Sequence, residues 1–360
     1  MLRGAACLAI GGLLFCGAPA VAAGPVTPPS SGEKPPEKTF AGQIDVSLLT
    51  MVVRVVDTWG QPILGLKPED FRVRVGKNEV PVVALDWIAA GDDVGAVSEV
   101  SEGSTGDIKT APAQPAPAPG RLVVIFVQAD LNPTRISGQL RLRPFTRDLL
   151  GTLHRGDRVA VVSFDSHLKL WQDFTEDRAA THAAIARAML YSPEEEVTPA
   201  APLSLAAHFD FAAARKASSP ERALELMARA LEPLPGEKTV IFLGWGLGRF
   251  DSMGVTMTPD YKPAVQALFA AHAAVFVLDV TSADYHSLEV GLQDVAETTG
   301  GLYLKTFRLP ALATKTLART ISGYYVLTLD GSSLADEAGR VRIDLRGKSG
   351  TVLTRPVAVR

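Results

Sequence analysis

Leu122-Val123-Val124-Ile125-Phe126-Val127 is six apolar residues in a row, and three more runs of this kind follow it along the chain. Arg158 to Phe164 carries Val159, Val161, Val162 and Phe164, Thr239 to Leu243 reads Thr-Val-Ile-Phe-Leu, and Ala274 to Val280 reads Ala-Val-Phe-Val-Leu-Asp-Val. A strand with one wet face alternates apolar and polar residues, so unbroken runs belong to strands covered on both faces. Between the runs lie stretches with helical spacing, Asp177 to Leu190, Ser219 to Leu231 and Tyr261 to His272. The second announces its own start: Ser219 is a capping residue, Pro220 takes the first helical position and Glu221 favours the helix dipole. Leu224, Met227, Ala228 and Leu231 then fall on one face. Leu302 to Leu304 and a helix from Pro310 to Ile321 close the alternation. The pattern predicts an open, doubly wound α/β domain over residues 121–322, with a mostly parallel sheet and helices on both faces.

Outside that region the pattern is β. Ile44 to Val56 alternates and then thickens, Phe71-Arg72-Val73-Arg74-Val75 alternates strictly, and Gly76-Lys77-Asn78 turns the chain into Val80 to Leu85. Tyr324 to Leu329, Val341 to Leu345 and Val352 to Val359 repeat the pattern at the other end. Each set is about half a sandwich, and an open half sheet is not stable alone. The economical expectation is one β-sandwich built from residues 40–90 and 323–360, with the α/β domain inserted between its halves. Residues 24–39 and 91–120, the latter holding the Ala-Pro run 111–119, are too poor in apolar side chains to offset ordering entropy and read as linkers.

The first 23 residues carry one positive charge at Arg3, an apolar run from Ala5 to Cys16 and a small-residue stretch ending at Ala23, the order of a secretory signal peptide. Phe15 before Cys16 disfavours a lipoprotein signal. The mature chain is expected outside the cytoplasm, secreted or periplasmic, and no later segment is apolar for long enough to span a bilayer. Cys7 and Cys16 are the only cysteines, which excludes a disulfide framework, a cysteine nucleophile and a thiolate metal site from the rest. Thirty-six basic against 39 acidic residues, net charge −3, argue against nucleic acid as a partner.

Four phrases in this order carry a resemblance: Val56-Asp57-Thr58-Trp59-Gly60-Gln61-Pro62-Ile63-Leu64-Gly65-Leu66-Lys67-Pro68-Glu69-Asp70-Phe71-Arg72-Val73, Gly156-Asp157-Arg158-Val159-Ala160-Val161-Val162-Ser163-Phe164, Thr299-Gly300-Gly301-Leu302-Tyr303 and Gly323-Tyr324-Tyr325-Val326-Leu327. Together they resemble the bacterial secreted VWFA-related family, a divergent branch of von Willebrand factor type A domains. The resemblance implies a Rossmann-like α/β domain with adjoining β elements, a role in binding or assembly, and no catalysis.

It also implies where a metal would sit. Type A domains hold Mg²⁺ with Asp-x-Ser-x-Ser after the first strand, a mid-domain Thr or Ser, and an Asp after the fourth strand, an oxygen set suited to a hard cation. Here the first strand is followed by Asp130-Leu131-Asn132-Pro133-Thr134, with an amide and a threonine in place of the two serines. The mid-domain hydroxyl would be Thr198 or Ser204. Trp245 stands where the second carboxylate should be, with Asp251 the nearest acid. Asp130, Asn132 and Thr134 are the candidate metal ligands, and they equally fit a turn at the start of a helix that binds nothing. No cofactor other than Mg²⁺ is implied.

Arg155-Gly156-Asp157 spells an adhesion tripeptide but reads more simply as a turn before a buried strand. Gly244-Trp245-Gly246-Leu247-Gly248 lacks the full spacing of a phosphate loop and reads as a strand-to-helix turn. His154, His167, His182, His208, His272 and His286 form no metal-binding pair in sequence and read as surface or helix-face residues, and Glu194 to Glu196 reads as a solvated loop. The expected function is therefore a secreted or periplasmic binding or scaffolding protein, not an enzyme, acting on a protein or cell-envelope partner through the C-terminal edge of its sheet. Mg²⁺-dependent adhesion is the alternative reading, and a secreted hydrolase the third.

Overall fold

A computed structural model describes residues 48–89, 120–330 and 339–359. The signal-peptide segment, the 24–39 linker, both cysteines and the Ala-Pro run lie outside the described residues. The chain passes through β1 (Leu48–Val56), β2 (Phe71–Val75), β3 (Asn78–Val80), β4 (Val82–Ala89), β5 (Leu122–Gln128), α1 (Pro133–Thr152), β6 (Arg158–Phe164), β7 (Leu168–Thr175) and α2 (Arg178–Met189). It continues through α3 (Phe211–Ala214), α4 (Pro220–Leu231), β8 (Lys238–Gly244), β9 (Arg249–Asp251), β10 (Gly254–Thr256), α5 (Tyr261–Ala270), β11 (Ala273–Asp279), α6 (Glu289–Thr299), β12 (Tyr303–Lys305) and α7 (Pro310–Thr320). The last elements are β13 (Gly323–Asp330), β14 (Gly339–Leu345), β15 (Thr351–Thr354) and β16 (Ala358–Val359).

Six strands form a sheet in the order β12-β11-β8-β5-β6-β7, parallel throughout except for β7, which runs antiparallel to β6. The four bare apolar runs supply its centre. Along β5, Leu122, Val124 and Phe126 pack with α4, α5 and α6, while Val123, Ile125 and Val127 pack with α1, α2 and α7. Both faces are thus covered, which is why these strands do not alternate. The Ser219 hydroxyl accepts the Arg222 N–H at 3.1 Å, so α4 starts at its expected cap. Strand order reverses between β5 and β8, and the crevice of such a sheet opens beyond the C-terminal ends of those two strands.

Two further four-stranded antiparallel sheets, β15-β1-β13-β4 and β16-β14-β2-β3, share one apolar cluster that includes Val53, Phe71, Val73, Leu327 and Ile343. Strands from the two ends of the chain pair directly, Leu48 with Asp330 and Val341 with Val75. Tyr325 lies at the centre, edge-on to Phe71 and Trp87, and its hydroxyl donates to the Ile63 carbonyl at 2.8 Å.

Sequence and structure differ in four places. Val80 to Leu85 and Val352 to Val359 are not single strands: Pro81 and Pro356, which have no N–H to give a ladder, interrupt them, and the chain passes from one sheet to the other at each. The edge strand β7 and helix α6 have no counterpart in the sequence reading, and α1 has one only in the turn Asp130 to Thr134, which does start a helix. Gly244 to Gly248 leads first into the β9–β10 hairpin and only then into α5. In α1, Gly138 is the close-approach point, since a Cβ there would lie 1.6 Å from the Val280 carbonyl oxygen. That contact brings α1 down beside the end of β11. No helix among the described residues is long and apolar enough to cross a membrane.

Candidate functional site at the C-terminal edge of the sheet

Gln128, the last residue of β5, ties the crevice together. Its buried amide donates from Nε2 to the Gly246 carbonyl at 2.7 Å, and its Oε1 accepts the N–H groups of Trp245 at 2.9 Å and Gly246 at 3.2 Å. The glycine-rich turn after β8 therefore turns two of its backbone donors onto Gln128 instead of a phosphate. The Gly248 N–H meets the buried Glu221 carboxylate at 2.6 Å.

The three candidate metal ligands lie together on the turn after β5. The Asp130 Oδ1 accepts the Asn132 N–H at 2.7 Å. Asn132 caps α1, its Oδ1 accepting the Thr134 N–H at 3.0 Å and the Thr134 hydroxyl at 2.7 Å. The second Asp130 oxygen is paired with the Arg135 guanidinium, which lies 3.4 Å from the centre of the Trp245 ring. A fixed cation, stacked on the indole that stands where a second carboxylate was sought, thus neutralises Asp130. Close by, Tyr191 has its hydroxyl buried without a hydrogen-bond partner among the described residues, and burial, then the charges of Asp130 and Asp165, push it up to about 12.

The other proposed oxygens are elsewhere. Ser204 donates its hydroxyl to Asp173 at 2.5 Å, and Asp173 lies on β7 toward the level of Val159, at the opposite end of β6 from the crevice. Thr198 is exposed on the loop after α2. Asp251 accepts the Met253 N–H at 2.8 Å within its own hairpin. Of the adhesion tripeptide, Asp157 is 0% exposed and bridged by the Nε and Nη2 of Arg121, so it cannot present itself to a partner. The Glu194 to Glu196 loop is exposed, with Glu194 meeting His167 and Lys169, and Glu195 meeting Arg187.

A second constellation at the same edge was not singled out from the sequence. Asp279, which ends β11, takes the His286 Nε2 at 2.8 Å and the Tyr303 hydroxyl at 2.5 Å on one carboxylate oxygen and the Thr281 N–H at 2.8 Å on the other. Burial alone would raise its pKa, but the hydrogen bonds from His286, Tyr303 and Thr281 outweigh it and hold the carboxyl below the usual range. Burial and the same carboxylate push the Tyr303 phenol far up. Asp279, His286 and Glu289 bring potential ligand atoms within 4.8 Å of one another. The positive charge at this spot is already supplied, by Lys305 against Glu289 at 2.8 Å. His286 is thus a half-buried network member, not the surface residue expected. The signal available in sequence was Asp279 itself, a carboxylate inside an otherwise apolar run.

Around both groups the loops leaving three adjacent strands expose large apolar side chains: Leu131 after β5, Phe250 and Met253 in the hairpin after β8, and Tyr285 after β11. Met253 is 91% exposed.

No family profile and no curated protein sequence matches the chain. Among solved structures it is similar to the conserved hypothetical protein BatB from Bacteroides thetaiotaomicron, at 14% identity and a TM-score of 0.38 over 56% of this chain and 98% of that one. A von Willebrand factor type A protein from Catenulispora acidiphila matches at 14% identity and a TM-score of 0.38 over 66% of this chain and 65% of that one. An aerotolerance-related membrane protein from Bacteroides fragilis matches at 14% identity and a TM-score of 0.37 over 56% and 98%. The α/β class of this chain rests on its own strand order and register.

Proposed function

We propose that this chain is a non-enzymatic binding or scaffolding protein, secreted or periplasmic, whose α/β domain is of the von Willebrand factor type A class and is inserted between the two halves of a β-sandwich. The partner is a protein or cell-envelope component and meets the C-terminal edge of the sheet. The observation that carries this reading is that Leu131, Phe250, Met253 and Tyr285 are all exposed on loops leaving three neighbouring strands at one end of the sheet. Clustered apolar exposure rimmed by polar groups marks interaction surfaces. The strand order fits the type A assignment, and the sequence of the first 23 residues supports export. Contact at this edge is independent of Mg²⁺, because Asp130 is paired with Arg135 and Trp245 replaces the second carboxylate. Affinity capture from the native envelope fraction, with Mg²⁺ and with chelator, tests it. The same partner should be retained in both, and should be lost with Phe250→Ser/Met253→Ser. Retention that needs Mg²⁺, or that survives the double substitution, contradicts the reading.

A further inference from the structure

At the opposite end of the six-stranded sheet, where its parallel strands begin, a groove of about 510 Å³ runs between that end and the outer side of β1 and β13. Its size lies within the roughly 300–1,000 Å³ of ligand clefts. Val52, Val326, Phe269 and Val357 give it mainly apolar walls, and Thr50 lies at its exposed lip. Charged groups meet at one place in its lining: Arg355 donates to Glu237 at 2.5 Å, and His272 stands 3.5 Å from the same carboxylate.

The charges around Glu237 do not balance. Arg54, only 5% exposed and lying over the Phe276 and Tyr324 rings, feels the same carboxylate, and its Nε has no hydrogen-bond partner among the described residues. Burial brings the Arg54 guanidinium down to about 10. Lys238, 2% exposed, has its ammonium on the Leu234 carbonyl as its one hydrogen-bond partner among the described residues, and it feels Glu237 first and the exposed Glu232 from outside. The next cation, Arg121, is matched by Asp157. Arg54, Arg355 and Lys238 thus all act on Glu237, a carboxylate whose side chain is 19% exposed, and behind the groove the three cations outnumber Glu237 and Glu232. Excess buried charge is costly unless an opposite charge joins it.

We infer that this groove binds a single-chain amphiphile with a carboxylate head, the head joining Arg355 and the tail lying along Val52, Val326 and Phe269. The apolar walls disfavour a small inorganic anion, and the cation excess disfavours an amphiphilic amine.

Calorimetry on the full chain with laurate and dodecyltrimethylammonium below their micelle concentrations, and dodecanol below its solubility limit, separates head from tail. Laurate should bind saturably, one per chain, dodecanol at least about tenfold more weakly, as the loss of a charge-assisted hydrogen bond requires, and the ammonium not at all. Arg355→Gln should weaken laurate by a similar factor. Val52→Trp should abolish binding by filling the groove, and Thr50→Trp, at the exposed lip, provides the same block without touching buried packing. Absence of saturable laurate binding, equal binding of dodecanol, or laurate binding that survives both tryptophan variants overturns the inference.

Discussion

Two arginine–aspartate pairs, one at each end of the six-stranded sheet, are held in opposite ways. At the end where the parallel strands begin, Asp157 is fully buried, gripped by two Arg121 nitrogens and the His154 N–H, and Arg178 donates to the backbone carbonyls of His154 and Asp157. At the end where they finish, Asp130 and its partner Arg135, in the first turn of α1, are both partly open, and apolar side chains stand out in solvent. Arginine–aspartate pairs occur at both ends, but only the first is sealed. The difference separates a pair that holds the domain together from one that shapes a surface.

Several measurements would sharpen or break that contrast. Asp157→Ala should cost about 3–5 kcal/mol in urea unfolding, since it strands a largely buried guanidinium; a loss below about 1 kcal/mol would put the two ends on the same footing. Next in size is the acid limb of stability. Asp279 at one end and Glu237 at the other both have folded-state pKa values below the ordinary carboxylate range. Burial works against this at each; at Asp279 the hydrogen bonds from His286 and Tyr303 overcome it, and at Glu237 His272 together with the Arg355 and Arg54 charges does so. A lowered folded-state pKa contributes stability that is present above about pH 4 and lost as pH falls through the folded value. Denaturation midpoints measured from pH 2 to pH 6 should therefore fall less steeply on acidification in Asp279→Asn and in Glu237→Gln than in the parent chain.

Asp130→Ala should cost no more than about 1 kcal/mol, as for a partly exposed pair, and should leave Mg²⁺ titration heats unchanged. A Mg²⁺ heat present in the parent and absent in the variant would establish a metal site at Asp130. Smallest of all, Phe250→Ser/Met253→Ser should change stability by less than about 0.5 kcal/mol, as surface changes do, while removing partner capture. A large stability loss would mean that this edge is packing, not surface.

The central strands of the α/β domain are legible in sequence because burial on both faces writes itself as an uninterrupted apolar run, and α4 is legible because Ser219 and Pro220 mark its start. Helix α1 is not. Gly138 and Pro144 argue against a helix locally, and the reason for Gly138 is the Val280 carbonyl, a contact that exists only after folding. Strand β7 is hidden too, because its pairing with β6 is broken by register shifts at Val159 and Val161, so no clean alternation survives. At the candidate site, Asp130, Asn132 and Thr134 could be placed on one turn from sequence. That Arg135 would lie on Trp245, or that His286 and Tyr303 would converge on Asp279, depends on loops from separate strands.

The placement of β13 between β1 and β4 has a consequence for the order of events during synthesis. The N-terminal strands β1 and β4 emerge from the ribosome early, yet the strand that separates them is made only after the whole α/β region. Until then, the apolar side chains of β1 and β2 have no complete core, and both flanks of the gap that β13 will fill are free strand edges, the kind of surface that pairs with other chains. The strands of the six-stranded sheet lie closer together in sequence, so their pairing does not wait for β13. Strand β13 is therefore the last-made partner of β1 and β4, and a chain that stops short of Gly323 keeps both of those edges unpaired.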